Sequence, residues 1–521
     1  MNKATFTTAD RQQSGQQRVI QKSSTAYCLL PTAYLLILTL LLVFQTAAPC
    51  NAQTRRTKTR QPTQEEIDKQ KAQQDALANL GSGKLDTESE IGNASGFHGL
   101  VRGGLKGFQI TAENAKKAGL NVLDTPRLLL VTDLPIDDDL QKWGSYLDQA
   151  TQQFAEYFNV PSYQVASWKI RACVMKDNVP FMMNDLLPDD LPPFDYGFQY
   201  GNNIWLYAQE SRDYQRHLFL HECTHAFMNQ VLKGCGSLWF GEGLAEYFGT
   251  HRIENGRLTM GVMPRSRNEF PHWGRIRFIQ NDLQNGVFVP LNEFFSTELK
   301  SQDNRSYAWA WALIWMMNSQ PQHKAILQRL AVVEQGKTYA QRAQNVNKMF
   351  RESFTDDQWR QFSTQWEAFI SDLEYGLKPE YCHIEDAPGV TPLNKQAFQT
   401  IRSDKDWQNV GVGIEKGKKY SIKAMGEYSV CAGEKTWPCE PNGITIRYFR
   451  QKPLGALLAA IVTPNDGESS ALEGFNKPIV VGNRVQFTAP QSGALWFKIN
   501  RLPNVTPADG SVIKIIIEEI P

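Results

Sequence analysis

The sequence predicts an α+β region that gives way, near residue 391, to an all-β sandwich. Three observations carry that expectation. The chain has 521 residues, well beyond one domain of about 100–200 residues. From about Gly96 to Gly376, aromatic residues and helical apolar patterns alternate with short apolar runs. From about Thr391 onward, short β-rich runs are separated by Gly, Pro and Asn. Apolar residues make up 41% and charged residues 21%, an ordinary globular balance. Lys+Arg 55 against Asp+Glu 54 leaves a net charge of +1, so a nucleic-acid partner is not expected. Beyond the N-terminal block no stretch is apolar enough to cross a bilayer, which argues against polytopic membrane insertion.

Residues 1–52 read as an export signal. Lys3, Arg11, Arg18 and Lys22 precede the apolar block Leu35–Phe44, and a small-residue cleavage site follows at Cys50-Asn51-Ala52. Cleavage leaves a periplasmic or extracellular protein; without it the same protein is tethered to the membrane. Residues 53–95, rich in Gln, Thr, Lys, Glu and Asp, read as a disordered linker, because they bury too little to offset ordering.

Residues 96–390 form the α+β domain. The run Arg127–Thr132 reads as a buried strand, and Asp137–Asp139 open a helix through about Phe158, where their carboxylates complement the helix dipole. Lys169–Met175 and Asn203–Ala208 read as strands, and Arg212–Leu232 as an amphipathic helix. Residues 391–521 form the sandwich. Eight cysteines fit an oxidising destination, with Cys431 and Cys439 the best disulfide candidates.

The chemistry is concentrated in His221-Glu222-Cys223-Thr224-His225. Histidines four apart share one helical face, about 6 Å apart along the axis, so both imidazoles can reach one metal ion. Glu222 sits beside the same edge, where it can take a proton from an attacking water. A third histidine six residues on is ruled out, since Met228 and Val231 occupy the places such a site needs. The chain instead offers the run 238–248, with Glu242 seventeen positions after His225 and Glu246 one turn later. His217, one turn before His221, is assigned to packing or surface.

This pattern, HExxH followed by a Gly-Glu-Gly-Leu-Ala helix, resembles the gluzincin metallopeptidases, including the thermolysin-like and M1 aminopeptidase-like families. Within them it looks most like the bacterial group DUF1570. The resemblance implies that His221, His225 and Glu242 hold one Zn2+, with Glu246 orienting a ligand histidine and the less favoured third ligand. It implies Glu222 as general base, and Tyr307, at the start of an aromatic-rich helix, as oxyanion donor. A core tyrosine fits the Tyr307 pattern nearly as well, and His272 is a weaker competitor for the role. In that fold the strand before the metal helix pairs with substrate backbone, which points to Asn203, Ile204 and Trp205.

The C-terminal series resembles the calcium-dependent galactose-binding lectins of the PA-IL type. Where those proteins carry acidic calcium ligands, Asn500-Arg501 and Ala508-Asp509 stand here. A guanidinium removes a ligand and adds repulsion, so Ca2+ is not expected. The resemblances together imply an exported zinc metallopeptidase acting on a peptide or protein substrate. The alternative is an envelope or extracellular carbohydrate-binding protein whose metal site is structural or vestigial.

Overall fold

The computed structural model describes residues 105, 107–296, 304–332, 338–432, 435–463, 471–505 and 510–521. The expected signal, the linker and Ala508-Asp509 lie outside them. The chain divides into Met1–Asp86 and Thr87–Pro521, and every described residue belongs to the second unit.

After a short helix α1 (Ala112–Lys117), one mixed sheet organises the first half. Its strands are β1 (Asn121–Asp124), β2 (Leu128–Thr132), β3 (Ile170–Met175), β4 (Gly197–Tyr200) and β5 (Asn203–Tyr207), in the order β1-β2-β3-β5-β4. The three central strands are parallel and the two edges antiparallel. Parallel strands covered on both faces need apolar residues without alternation. Accordingly Leu128 and Leu130 join a core with Trp143 and Phe154 of α2 (Trp143–Tyr157), whereas Leu129 and Val131 join a second core with Phe198 and with Phe181 of α3 (Val179–Met182). The acidic triplet precedes α2 rather than opening it. Asp137 Oδ1 accepts the N–H groups of Asp139 and Leu140 at 3.0 Å each, and a 3₁₀ turn, Leu140–Lys142, comes before α2.

Helix α4 (Arg212–Gln230) begins where Ser211 accepts the Tyr214 N–H at 3.2 Å. Lys233 and Gly236, both at positive φ, help reverse the chain into α5 (Leu238–Gly249). A hairpin follows, β6 (His251–Glu254) and β7 (Arg257–Met260), then α6 (Arg275–Gln284), α7 (Glu293–Ser296), α8 (Asn304–Asn318), α9 (Pro321–Ala331), α10 (Tyr339–Glu352) and α11 (Asp356–Asp372). Helices α5 and α8 approach so closely at Gly243 that a Cβ there would lie 2.6 Å from Ile314 Cγ1 and 2.9 Å from the Ala310 carbonyl oxygen. An exposed helical Gly→Ala change stabilises by roughly 0.5–1 kcal/mol. At Gly243 the sign reverses: Gly243→Ala is expected to lower stability by about 1–3 kcal/mol, read by denaturant unfolding. A gain instead would show that the two helices separate freely.

His251, at the start of β6, is 2% exposed. Its Nδ1 lies 2.9 Å from the Gly249 carbonyl oxygen, and Arg216 Nε donates to its Nε2 at 3.3 Å. Both ring nitrogens are therefore engaged in the neutral form, and burial pushes its pKa down to about 3. Below the unfolded value near 6.5 the unfolded chain takes up a proton that the native ring refuses, so stability falls with pH through that window. At pH 5 the loss is about 2 kcal/mol. Between pH 7 and pH 5, His251→Asn should lose about 2 kcal/mol less stability than the wild type, as read from unfolding curves.

The second half is a β-sandwich. A five-stranded sheet runs in the spatial order Ile479–Val480, Leu457–Val462, Gly493–Ile499, Gln408–Ile414 and Thr391–Pro392. It faces a four-stranded sheet ordered Arg484–Thr488, Lys419–Met425, Val512–Ile520 and Gln396–Arg402. Ile401, Ile422, Leu457, Phe497 and Ile515 lie in the core between them. The expected Cys431–Cys439 disulfide is absent. Cys431 sits opposite Thr436 and Cys439 opposite Tyr428 in the same hairpin, and all six described cysteines are thiols.

The two halves meet at the end of α11. Ala368 packs in one apolar cluster with Trp407, Leu458, Phe475 and Trp496 of the sandwich. Asp372, the last residue of α11, is ion-paired to Lys498 and to Arg450 and accepts the Trp407 Nε1–H at 3.1 Å. One carboxylate thus ties α11 to three places on the sandwich.

Candidate metal centre

Helix α4 carries His221, Glu222 and His225, and α5 folds back beside it to deliver Glu242 and Glu246. His221 and His225 present Nε2 atoms 3.1 Å apart, and each lies 3.3 Å from Glu242 Oε2. The three atoms form a nearly equilateral triangle. A tetrahedral ion with bonds of about 2.0–2.1 Å sets its ligands about 3.3–3.4 Å apart, so the triangle has the size such an ion requires. The three residues are buried and could hold a metal ion. Burial pushes the Glu242 carboxyl up, but the imidazoles of His225 and His221 outweigh it and hold the group well below the usual carboxylate range. The negative charge therefore stays in place among the rings.

The second carboxylate on α5 is built in more deeply. Glu246 is 1% exposed and receives Arg275 through two bonds, Nε to Oε2 at 3.0 Å and Nη2 to Oε1 at 2.9 Å. The Trp273 Nε1–H donates to Oε2 at 3.1 Å. Its Oε1 also faces His221 Nδ1 at 3.5 Å, and its Oε2 faces His217 Nε2 at 3.5 Å. Glu246 thus stands on the Nδ1 side of His221, away from the Nε2 that faces Glu242. Burial raises the Glu246 carboxyl, and the Arg275 guanidinium more than reverses this, leaving it well below its ordinary value. His217, His221 and Glu246 also lie close enough to be read as a metal group. A cation there would face Arg275, whose bonds already occupy both carboxylate oxygens. His217 is fully buried against Glu246, which corrects its surface alternative.

Glu222 lies against the edge strand β4: a Cβ on Gly197 would be 2.9 Å from its Oε1, so a larger residue there would have to displace the carboxylate. Burial raises its carboxyl above the ordinary value, partly offset by the two histidines. His221 and Glu222 keep 8% and 7% of their surface, against 3% and 4% for His225 and Glu242. What solvent reaches the triangle does so on the His221–Glu222 side. Tyr307, in the first turn of α8, stands with its ring 6.4 Å from that of His221 and under the Arg275 guanidinium at 5.8 Å. His272 is exposed, in a left-handed conformation, with its ring 6.3 Å from Tyr214.

Asn203, Ile204 and Trp205 do not line a groove. Strand β5 is hydrogen-bonded to β3 on one side and β4 on the other, so its backbone is fully engaged and cannot pair with a substrate. Asn203 instead accepts the Ile110 N–H and donates to the Phe108 carbonyl, and Trp205 donates to that of Leu186. The strand beside Glu222 is β4, the last in the order of the sheet. Arg275, Trp273 and Gly197 were also missed: a single Arg, Trp or Gly carries no periodic signal.

No known protein family matches this chain, and no curated protein does. Among solved structures, the N-terminal domain of EclA, a PllA-like lectin, is 15% identical with a TM-score of 0.18. The match covers 25% of this chain and 98% of that one. PliG of Aeromonas hydrophila, a periplasmic inhibitor of g-type lysozyme, is 10% identical with a TM-score of 0.15, covering 26% and 100%. At these scores neither likeness establishes a shared fold. The gluzincin resemblance rests on the motif residues and their geometry. Among the described residues no helix is long and apolar enough to cross a membrane.

Proposed function

We propose that this chain is an exported zinc-dependent hydrolase of peptide bonds. The observation that carries the reading is the triangle of His221 Nε2, His225 Nε2 and Glu242 Oε2, 3.1–3.3 Å on a side, with Glu222 beside it. Two imidazoles and one carboxylate are the donor set of a catalytic zinc, which, when bound, polarises a carbonyl and lowers the pKa of water to about 7. The chain supplies the rest. Glu222, raised by burial toward neutral pH, takes the proton of the attacking water and returns it to the leaving amine. The Tyr307 hydroxyl steadies the developing oxyanion, and Tyr307→Phe is expected to lower the rate about 10²-fold with KM little changed.

The test is metal content on the purified chain together with mass-spectrometric identification of cleaved peptides. About one zinc per chain and metal-dependent cleavage, both lost in Glu242→Ala, is the expected result. Zinc bound with no cleavage of a diverse peptide library would defeat it.

The second reading is carbohydrate binding through the sandwich, with a structural metal site. Its support is a sandwich with a core of its own and the resemblance of the C-terminal sequence to PA-IL-type lectins. A glycan array probed with the full chain separates the two.

A further inference from the structure

Where α11 meets the sandwich there is a cavity of about 580 Å³, a volume within the usual range for small-ligand sites. None of the metal-centre residues lines it. Five cationic residues do (Arg450, Lys452, Lys477, Lys498 and Arg501), against three acidic ones, Asp372, Glu374 and Asp406. Three of those cations are backed by aromatic rings of the same wall. Arg501 lies over Tyr381 at 3.8 Å, Lys498 over Trp407 at 4.5 Å and Arg450 over Phe449 at 5.5 Å. The rings are therefore covered by the protein's own charges and offer no face on which a sugar could stack. They hold the cations in place instead.

The cations are not all matched. Lys498 and Arg450 share Asp372, and Lys477 pairs with Glu473. Arg501 Nη1 donates to the Lys405 carbonyl at 2.7 Å, but its Nη2 is buried without a hydrogen-bond acceptor, with Asp406 3.7 Å away. Lys452 pairs with no carboxylate among the described residues. Its ammonium is held below the ordinary lysine value by burial and then by Arg450 and Lys498, the sign of a local excess of positive charge. A buried donor left unpaired costs on the order of 1–3 kcal/mol, and an oxyanion is what would satisfy both groups.

We propose that this cavity binds a small carboxylate- or phosphate-bearing anion, held by the Lys452 ammonium and by Arg501 Nη2, which faces Asp406 at 3.7 Å but makes no hydrogen bond. The site is independent of the metal centre. Because its walls come from both halves of the chain, an occupant would stiffen their junction and raise the unfolding temperature.

The test uses the full chain, titrated calorimetrically with citrate and separately with inorganic phosphate, the ionic strength held constant with sodium chloride. Saturable one-to-one binding of either anion, weakened at least tenfold by Lys452→Met, is the expected result, and which one binds assigns the headgroup. Lys452 is half-buried and unpaired, so the variant should unfold at the wild-type temperature in the absence of anion. Arg501→Met provides a second variant with the same expected loss. Absence of saturable binding by both anions would overturn the proposal, as would unchanged binding in Lys452→Met.

Discussion

Glu222→Gln is expected to remove peptide hydrolysis by about 10²–10⁴-fold while zinc content stays near one per chain. The separation follows from the geometry. The carboxylate of Glu222 is not one of the three atoms of the triangle, so an amide of equal size leaves His221, His225 and Glu242 where they are. Gln also fits the tight space beside Gly197, so β4 need not move. What the amide cannot do is accept a proton. The native carboxyl suits that task because burial raises its pKa toward the working pH, where a general base is most effective. Glu242→Gln is the informative contrast: it removes a ligand charge from between two imidazoles and should lose metal and hydrolysis together. Full hydrolysis by Glu222→Gln would place the base elsewhere. Loss of zinc in that variant would make Glu222 a support for the ligands rather than a base.

How far the site could be read from sequence depended on whether a residue acts through local spacing. Two histidines four apart on one helix converge whatever the rest of the chain does, and Ser211 and Asp213 already mark that helix's start. Glu242 and Glu246 were picked out by the resemblance of the run 238–248 to a known motif, and α5, one uninterrupted helix, keeps them one turn apart. Strand β5 was misplaced for the opposite reason. Its apolar run declares a strand, but which strands flank it is decided by pairing over long separations. The four-residue neighbour β4 hides in a segment rich in Pro, Asp and Gly. Arg275 could not be found at all, since nothing local distinguishes a buried arginine from the many on the surface. Of Asp137–Asp139, expected to open the helix, only Asp137 caps backbone N–H groups, and those belong to the turn before the helix, which starts at Trp143. The sandwich strands were legible from their punctuation, whereas the bond between Cys431 and Cys439 was not, because a hairpin places them out of register.

Arg275→Met should be the most damaging single change behind the metal ligands, because it strips the charge partner from a carboxylate that is 1% exposed. Breaking a buried ion pair from one side costs about 3–5 kcal/mol, since the remaining charge has neither water nor partner. The consequence then reaches the metal. Without Arg275, Glu246 is free to turn toward His217 or to take a proton, and in either case the negative charge 3.5 Å from His221 Nδ1 is moved or lost. Loss of such an outer partner typically costs about 10–100-fold in metal affinity. Two measurements separate the structural from the positioning part. Denaturant unfolding of Arg275→Met and of the double variant Arg275→Met/Glu246→Gln should show the second recovering much of the lost stability, because the orphaned charge is gone. Competition with a zinc chelator should show metal affinity still reduced in the double variant, since an amide cannot match a carboxylate as acceptor for the His221 ring. Recovery of stability and affinity together would mean that Glu246 and Arg275 merely fill space, and that the orientation of His221 is set by packing alone.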